Sequence, residues 1–531
     1  MKTYFLISLI PLLVLLIMKT KKVFQMLQQN YYNVNNRYFR WVIRNRYKVF
    51  SGPEMFFVIV LAATYFLPST VSMILYFLFY LLISIFFYHT EKKEQVKIPL
   101  VYTKRIFRLA LTFCLLLGIM IVPMLFTNME HSLFFHYTIL SLFCYLDYLV
   151  ALALIFLTIP VEKMVFLHYK RLATKKLEEN ANMKVIGITG SYGKTSSKNI
   201  LNTILNVKYV SFPTPKNFNT TYGMINTLNN YLDKFNDYFI AEMGAFKRGD
   251  IKEICDFIKP TYGILTTIGT AHLETFGSIE NIQKGKFELI ESLPKDGIGI
   301  LNRDDPYQVS YPLKNDCKIL WIGIDNKEAD LYATNIELSG SGTSFDCIWK
   351  GDSKPYHFET KLLGTHNIYN LLAGILLGHE LGISIPELQI AVSKVSPVEH
   401  RLELKEYGNL HLIDDAYNSN PVGSKRALEV LSLMKGKRII VTPGMIELGS
   451  LQYIKNKEFG EQIARSVDEV ILIGKEQTIP IYDGLKEMNF KEEHIHILND
   501  VKEAFPLMKK LSGEKETYVL LENDLPDIFN E

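Results

Sequence analysis

Cysteine is scarce in this chain. There are five in 531 residues, Cys114, Cys144, Cys255, Cys317 and Cys347, with no CxxC pair and no metal-ligand spacing. That excludes a disulfide-stapled scaffold and a cysteine-held metal site, and it suits a reducing compartment. An excess of one charge is lacking too: 58 Lys and Arg against 55 Asp and Glu leave a formal charge of +3, so no nucleic-acid partner is expected. No internal repeat and no low-complexity segment is present, which removes solenoids and extended disordered tails.

Apolar residues, by contrast, make up 48% of the chain. Over the first 160 residues they form blocks at Tyr4–Met18, Met55–Leu67, Val71–Tyr88, Leu109–Phe126 and Leu133–Ile159, which predict about five transmembrane helices. The first two are short for a hydrocarbon layer of about 30 Å and also suit re-entrant or interfacial segments. The first block has its charged flank on the wrong side for a signal peptide, and no small-residue cleavage site follows it. Lys19, Lys21, Lys22, Arg37, Arg40, Arg44, Arg46 and Lys48 crowd the first loop, and Lys92, Lys93, Lys97, Lys104, Arg105 and Arg108 the third, whereas 68–70 and 127–132 contain no Lys or Arg. The positive-inside rule then puts the N-terminus outside and the large C-terminal part in the cytoplasm, with the basic loops facing anionic headgroups. Few ionisable residues lie in the blocks: Asp147 is the clear one, with His136 near a membrane face. Such an acid marks a transport pathway or pairs with a neighbouring span.

Past a charged, helix-prone connector at 161–183, the run Gly187-Ile-Thr-Gly-Ser-Tyr-Gly-Lys-Thr195 lies between an apolar strand pattern and a helical one. Gly190 and Gly193 permit a tight turn whose N–H groups point at phosphate oxygens, and the helix N-terminus adds its partial positive charge. Lys194 would reach the terminal phosphates of ATP and the Thr195 hydroxyl a Mg2+ ion. Ile188 stands where the strict P-loop pattern has glycine, so this is the shorter Gly-x-x-Gly-Lys-Thr form.

Short apolar runs near 184–189, 238–243, 263–267, 297–301 and 318–322 alternate with amphipathic segments, as in a parallel sheet flanked by helices. Polar–apolar alternation over 331–361 suggests antiparallel hairpins, and a second α/β alternation begins near Pro397. Glu242, in Ala-Glu-Met-Gly, falls at a strand end, where open parallel sheets bind ligands and where a carboxylate can hold magnesium. His272 falls just past the next strand, in Thr266-Thr-Ile-Gly-Thr-Ala-His-Leu-Glu274.

Together with Lys284-Gly-Lys-Phe-Glu288, Leu301-Asn-Arg-Asp-Asp-Pro306, Gly364-Thr-His-Asn-Ile-Tyr-Asn370, His400-Arg-Leu-Glu403, Ile413-Asp-Asp-Ala-Tyr-Asn-Ser-Asn-Pro421 and Met445-Ile-Glu-Leu-Gly449, these strings resemble the Mur ligase family, and most closely its D-alanyl-D-alanine-adding branch. The resemblance covers about two thirds of the chain. It implies an α/β fold: an N-terminal helical membrane domain (1–160), the connector (161–183), a P-loop parallel-sheet ATPase domain (184–396) and a smaller Rossmann-like α/β domain (397–531). It implies ATP and Mg2+ as cofactors. Gly190, Ser191, Gly193, Lys194, Thr195 and Ser196 would bind the phosphates; Thr195, Glu242, His272 and Lys286, the last as a carbamate, would serve the metals. Asn302 and Asn367 would contact the adenine region, Arg401 the γ-phosphate and Asp415 the ribose side. Lys194, Lys286 and Arg401 would be catalytic. A carboxylate would attack ATP to give an acyl phosphate, which an amine would then displace, a reaction that needs cations and N–H donors more than a protein nucleophile.

Three departures bear on substrate. Apolar spans occupy the place of the family's soluble domain for the uridine nucleotide. Gly444 and Asn456 stand where an Asp and a His are usual, and Leu521-Glu-Asn-Asp-Leu-Pro526 replaces a basic, lysine-containing segment. The expected partners are therefore the membrane, a cell-envelope precursor that is uridine-nucleotide-linked, lipid-linked or polymeric, and an amino acid or dipeptide. A ligase that polymerises amino acids, as poly-γ-glutamate synthase does, is an alternative within the same fold, and an ATP-driven transporter is one outside it. Lys194→Ala is expected to abolish ATP turnover with membrane insertion unchanged, measured as phosphate release and membrane-fraction yield.

Overall fold

The computed structural model describes residues 1–523 apart from 31, 51, 94–98, 340–341, 417–419 and 447. Met1–Leu167 and His168–Glu531 form two compact units. The first is all helical. Four of its helical stretches are long and apolar enough to cross a membrane, Lys2–Gln29, Ser69–Glu91, Lys104–Met124 and Asp147–Glu179, and two shorter apolar stretches are Pro53–Phe66 and Ser132–Tyr145.

The block Leu133–Ile159, expected as one span, is two helices, Met129–Tyr145 and Asp147–Glu179. Asp147 opens the second, accepting from the Tyr148 N–H at 2.8 Å. The buried Lys19 ammonium lies 2.9 Å from the Cys144 carbonyl, 2.7 Å from Glu54 Oε2 and 3.5 Å from Asp147 Oδ1. A lysine in an apolar bundle is tolerable only with such partners, and by taking the Cys144 carbonyl it accommodates the break. Asp147 thus pairs across helices. The expected connector at 161–183 is likewise not a separate element; most of it continues the helix Asp147–Glu179.

In the second unit a nine-stranded sheet is built from β1 (Lys184–Thr189), β2 (Ser211–Pro213), β3 (Tyr238–Glu242), β4 (Tyr262–Leu265), β5 (Ile298–Asn302), β6 (Lys318–Gly323), β7 (Leu331–Ser339), β8 (Gly342–Trp349) and β9 (Tyr356–Thr360), in the order β2-β3-β1-β4-β5-β6-β7-β8-β9. The strands from β2 to β7 pair in parallel, and β7–β9 are antiparallel, as the alternation over 331–361 predicts. Every residue of β3 is buried, the pattern of a parallel strand covered on both faces. The strand order reverses at β1, which places the turn after it at a topological switch point. The helix Lys194–Leu205 packs on Thr365–Glu380 through Ile200, Leu201 and Ile204. A Cβ on Gly374 would sit 2.8 Å from Ile204 Cδ1, so the small residue lets these helices approach closely.

The second sheet holds β10 (Glu403–Tyr407), β11 (Leu410–Asp415), β12 (Lys437–Thr442), β13 (Glu469–Ile473), β14 (Ile495–Leu498) and β15 (Thr517–Glu522), in the order β10-β11-β15-β12-β13-β14, with only β10 antiparallel to its neighbour. Sequence patterning misses β2, β10 and β14: the first is three residues long, and the other two are edge strands with partly exposed side chains.

Glu469, 5% exposed at the start of β13, ties three strands together through Lys437 at 2.9 Å, His496 at 3.0 Å and His494 at 3.1 Å. Burial alone would raise its carboxyl, but Lys437 and the two histidines outweigh this and hold it below 4.5. A depressed carboxyl stabilises the fold above its unfolded pKa, and this contribution disappears as pH falls through the folded value. Glu469→Gln is therefore expected to cost about 1–3 kcal/mol near pH 7, as for charge-assisted hydrogen bonds, and progressively less as the pH falls below 4.5, measured by calorimetric unfolding.

Candidate functional site

The phosphate-binding turn is built by close backbone approach. Gly190 has φ +150° and Gly193 φ +82°, conformations that favour glycine. A Cβ on Gly190 would lie 2.0 Å from Thr266 Oγ1 and 3.0 Å from the Thr267 nitrogen. The segment after β4 clasps the turn from that side: Ser191 N–H donates to the Thr267 carbonyl at 2.6 Å, Thr266 Oγ1 to the Tyr192 carbonyl at 2.5 Å, and Gly269 N–H to Ser191 Oγ at 3.0 Å. Asp305 supports that segment, accepting from the Ile268 N–H at 2.9 Å and from Gln308 Nε2 at 3.0 Å.

Gly193 is the N-cap of the helix Lys194–Leu205, so Lys194, Thr195 and Ser196 form its first turn. Lys194 Nζ folds back on the turn, donating to the Gly190 carbonyl at 2.8 Å and the Ser191 carbonyl at 3.2 Å. Burial lowers its ammonium, Glu242 opposes this and Arg401 adds to it, leaving it at about 8. Glu242 ends β3, paired with Ile188 of β1. Its carboxyl is 2% exposed. Burial would raise it, yet the charges of Lys198 and then Lys194, with the Thr195 hydroxyl beside it, hold it below the usual range. Glu242 and the Thr195 hydroxyl thus share one corner beside the phosphate turn. Oxygen donors of this kind suit a hard cation, and Mg2+ needs few of them because it keeps water and phosphate oxygens.

Lys286 and Lys284 are two residues apart on the helix Ile279–Glu291, about 200° around its axis. Lys286 points inward, 1% exposed, while Lys284 is exposed. Among the described residues nothing accepts a hydrogen bond from Lys286; the Phe276 ring lies 5.7 Å from its Nζ. Burial, reinforced by Lys194, pushes its ammonium well below the ordinary lysine value. His272, half-buried at φ +59°, sets its ring edge-on to Phe246 at 4.9 Å. Among the described residues no three His, Cys, Asp or Glu side chains are grouped as a metal cage.

The remaining predicted residues come from both sheets and the segments around them. Asn302 is buried, and its Oδ1 accepts from the Asp304 N–H at 3.0 Å. Asn367 donates to the Leu363 carbonyl at 2.9 Å. Arg401 acts electrostatically on Lys194 and on Asp415, which brings the C-terminal sheet to the phosphate turn. Asp415 ends β11, and its Oδ1 accepts from the Leu402 N–H at 3.2 Å. Burial pushes its carboxyl up to about 6 against the pull of Arg401.

Sequence reasoning missed three residues here. Lys198 pairs with Glu242 at 3.0 Å. Asn370 accepts from Ser197 Oγ at 2.8 Å and lies behind Gly193. His366 is held neutral, its ring pushed to about 3 by burial and then by Arg426 and Arg401, and its buried Nδ1 has no hydrogen-bond partner. The available signal was spacing: Lys198 is one turn from Lys194, and Asn370 one turn from Asn367.

Two of the substrate-side departures fall in one patch. Gly444 has φ +85°, and a Cβ there would sit 2.9 Å from Asn456 Oδ1. Asn456 instead holds the Met445 backbone, accepting from its N–H at 2.8 Å and donating to its carbonyl at 2.9 Å. Asn523 Nδ2 donates to the Gly444 carbonyl at 2.6 Å. Residues 524–526 of the acidic segment, Glu447 of Met445–Gly449 and 417–419 of Ile413–Pro421 lie outside the described residues.

Gly190→Ala is expected to place a methyl group against Thr266 and Thr267, opening the turn. ADP affinity should fall by more than about tenfold, measured by calorimetric titration, as for one lost close interaction of about 1.4 kcal/mol or more.

Residues 188–378 match the family model described as Mur ligase middle domain, and residues 400–521 match Mur ligase, glutamate ligase domain. The chain is 30% identical over 346 residues to the UDP-N-acetylmuramoyl-tripeptide--D-alanyl-D-alanine ligase of Bacillus subtilis (strain 168), covering 64% of this chain and 73% of that protein. To the ligase of the same name from Escherichia coli (strain K12) it is 31% identical over 298 residues, 55% of this chain and 65% of that one. Among solved structures, the MurF ligase from Thermotoga maritima in complex with ADP superposes with a TM-score of 0.60 at 25% identity, over 68% of this chain and 80% of that chain. With both sheets, the phosphate turn and these matches in agreement, the chain belongs to the Mur ligase family.

Proposed function

We propose that this protein is a membrane-anchored, ATP-dependent, ADP-forming carboxylate–amine ligase acting on a cell-envelope precursor. The observation that carries the reading is the buried Lys194 of the phosphate turn, on which Glu242 from β3 and Arg401 from the C-terminal part both act electrostatically. Such a set of charges serves phosphoryl transfer. A carboxylate oxygen of the acceptor attacks the γ-phosphorus of ATP, ADP leaves, and an acyl phosphate forms. The amine nitrogen then attacks the acyl carbon, inorganic phosphate leaves, and the amine proton passes to solvent. Lys194 and Arg401 steady the charge on the phosphoryl oxygens, and the backbone N–H groups of 192–195 cradle the phosphates. Thr195, Glu242 and His272 would hold Mg2+, which would supply further charge neutralisation. Asn302, Asn367 and Asp415 position the nucleoside.

Lys286 fits a carbamate. In its uncharged form the nitrogen can attack CO2, forming an N–C bond and releasing one proton, and the resulting anion would support a second metal.

The Bacillus subtilis and Escherichia coli relatives are each named UDP-N-acetylmuramoyl-tripeptide--D-alanyl-D-alanine ligase. For this chain the acceptor is a precursor of that chemical type in lipid-linked form. Support comes from the apolar helices of Met1–Leu167, because sharing a surface with its acceptor raises the effective concentration of the reacting carboxylate.

Full-length protein in lipid nanodiscs, given ATP, pools of amino acids and dipeptides, and acceptors in soluble and lipid-linked forms, is expected to yield a new amide with one ADP and one phosphate per bond, read by mass spectrometry. The fragment 184–531 should bind ATP but lose most activity on the lipid-linked form; equal rates for both constructs on both forms would discard the lipid-linked acceptor. In the same assay Lys286→Ala should lose ligation and regain part of it with short carboxylic acids, and Lys284→Ala should change little.

A further inference from the structure

We infer that Lys198 is a built-in counter-cation of the metal corner, neutralising Glu242 while no divalent cation is present and yielding when one arrives. The inference rests on the reading of Glu242 as a metal ligand.

Lysine is almost never fully buried without a partner, yet Lys198 is 2% exposed inside the helix Lys194–Leu205. Standing four residues after Lys194, it lies on the same helical face, so both ammonium groups act on Glu242. Lys198 Nζ is 3.0 Å from Glu242 Oε2 and 2.7 Å from the Lys216 carbonyl. The two contacts differ in kind: the Lys216 carbonyl accepts a directed hydrogen bond, whereas Glu242 Oε2 lies at ion-pair distance without hydrogen-bond geometry. The ammonium is thus aimed at Lys216 and meets the carboxylate as a point charge.

Lys216 itself is at φ +49°, in a turn that turns its carbonyl towards the helix. The turn is anchored to β3 on both sides, by Thr214 Oγ1 accepting from the Glu242 N–H at 3.1 Å and by the Asn219 carbonyl accepting from the Gly244 N–H at 2.7 Å. Asn219 Nδ2 reaches Glu242 Oε1 at 3.4 Å. Lys198 therefore keeps a neutral, fixed acceptor when a metal takes over the carboxylate, and little has to move.

Charge decides the consequence. Lys194, Lys198 and Glu242 sum to about +1, so a divalent cation entering alone meets net repulsion, whereas one arriving with nucleotide phosphates does not. Lys198 is in this sense a positioning residue that couples metal entry to nucleotide entry.

The test is Mn2+ binding to nucleotide-free, full-length protein in nanodiscs, titrated into the millimolar range by electron paramagnetic resonance. K198M is expected to bind Mn2+ about tenfold more tightly than the unsubstituted protein, the effect of removing one close like charge in a partly screened site. K198Q, which retains a donor for the Lys216 carbonyl, should tighten binding likewise, and K198R should leave it unchanged. In an E242Q background K198M should make no difference. Unchanged, weaker or undetectable Mn2+ binding in folded K198M and K198Q, with E242Q still lowering Mn2+ binding in the presence of ADP, would overturn the role of Lys198 alone. No effect of E242Q with ADP present would overturn the metal-corner reading itself.

Discussion

Gly190 and Thr267 meet backbone to backbone with no side chain between them, and the nucleotide half of the molecule depends on that approach. The methyl group of an alanine would already intrude on Thr266 Oγ1 at 2.0 Å. The contact is possible because β1 lies between β3 and β4 at the point where the strand order reverses, so the turn leaving β1 has open space above its neighbours. From it follow the direction of the helix Lys194–Leu205, the inward aim of Lys194 and the position of Thr195 beside Glu242.

Electrostatics then shapes what the turn can do. Lys198 and Lys194 act on one buried carboxylate, Glu242, and Arg401 acts on Lys194 and on the neutral histidine His366. A site crowded with cations and closed to water favours anionic phosphates and lowers the proton affinity of its lysines. The Lys286 amine feels the same field. Its helix partner Lys284 faces water, and this difference in burial separates two lysines that composition alone treats as equal.

The two distinctive regions each follow a local compensation. Gly444 and Asn456 fit together because the missing side chain at one makes room for the amide at the other, and Asn523 completes the patch from β15. In the helical unit the Lys19 ammonium joins Glu54, Asp147 and the Cys144 carbonyl, and the helix break at Leu146 belongs to that arrangement. In both places one polar group replaces a regular feature and takes over its hydrogen bonds.

Local chemistry wrote much of this protein into its sequence. The glycine spacing of the phosphate turn, the apolar strands β1, β3, β4, β5 and β6, the hairpins over 331–360 and the long apolar helices depend on periodicity and on conformations that few residues adopt, so they are legible from neighbours in the chain. The motif strings likewise carried Glu242, Lys286, Arg401 and Asp415. Short or half-exposed strands such as β2, β10 and β14 left no such signal, and the break inside Leu133–Ile159 was hidden because Lys19, more than a hundred residues away, takes part in it. The full burial of Lys286 beside an exposed Lys284, the framing of Glu242 by Lys198 and Lys216, and the electrostatic effect of Arg401 on Lys194 were decided only by tertiary structure. The physical reason is the same in each case: burial and Coulomb interactions depend on distance in space, and the groups involved come from elements that are far apart in sequence.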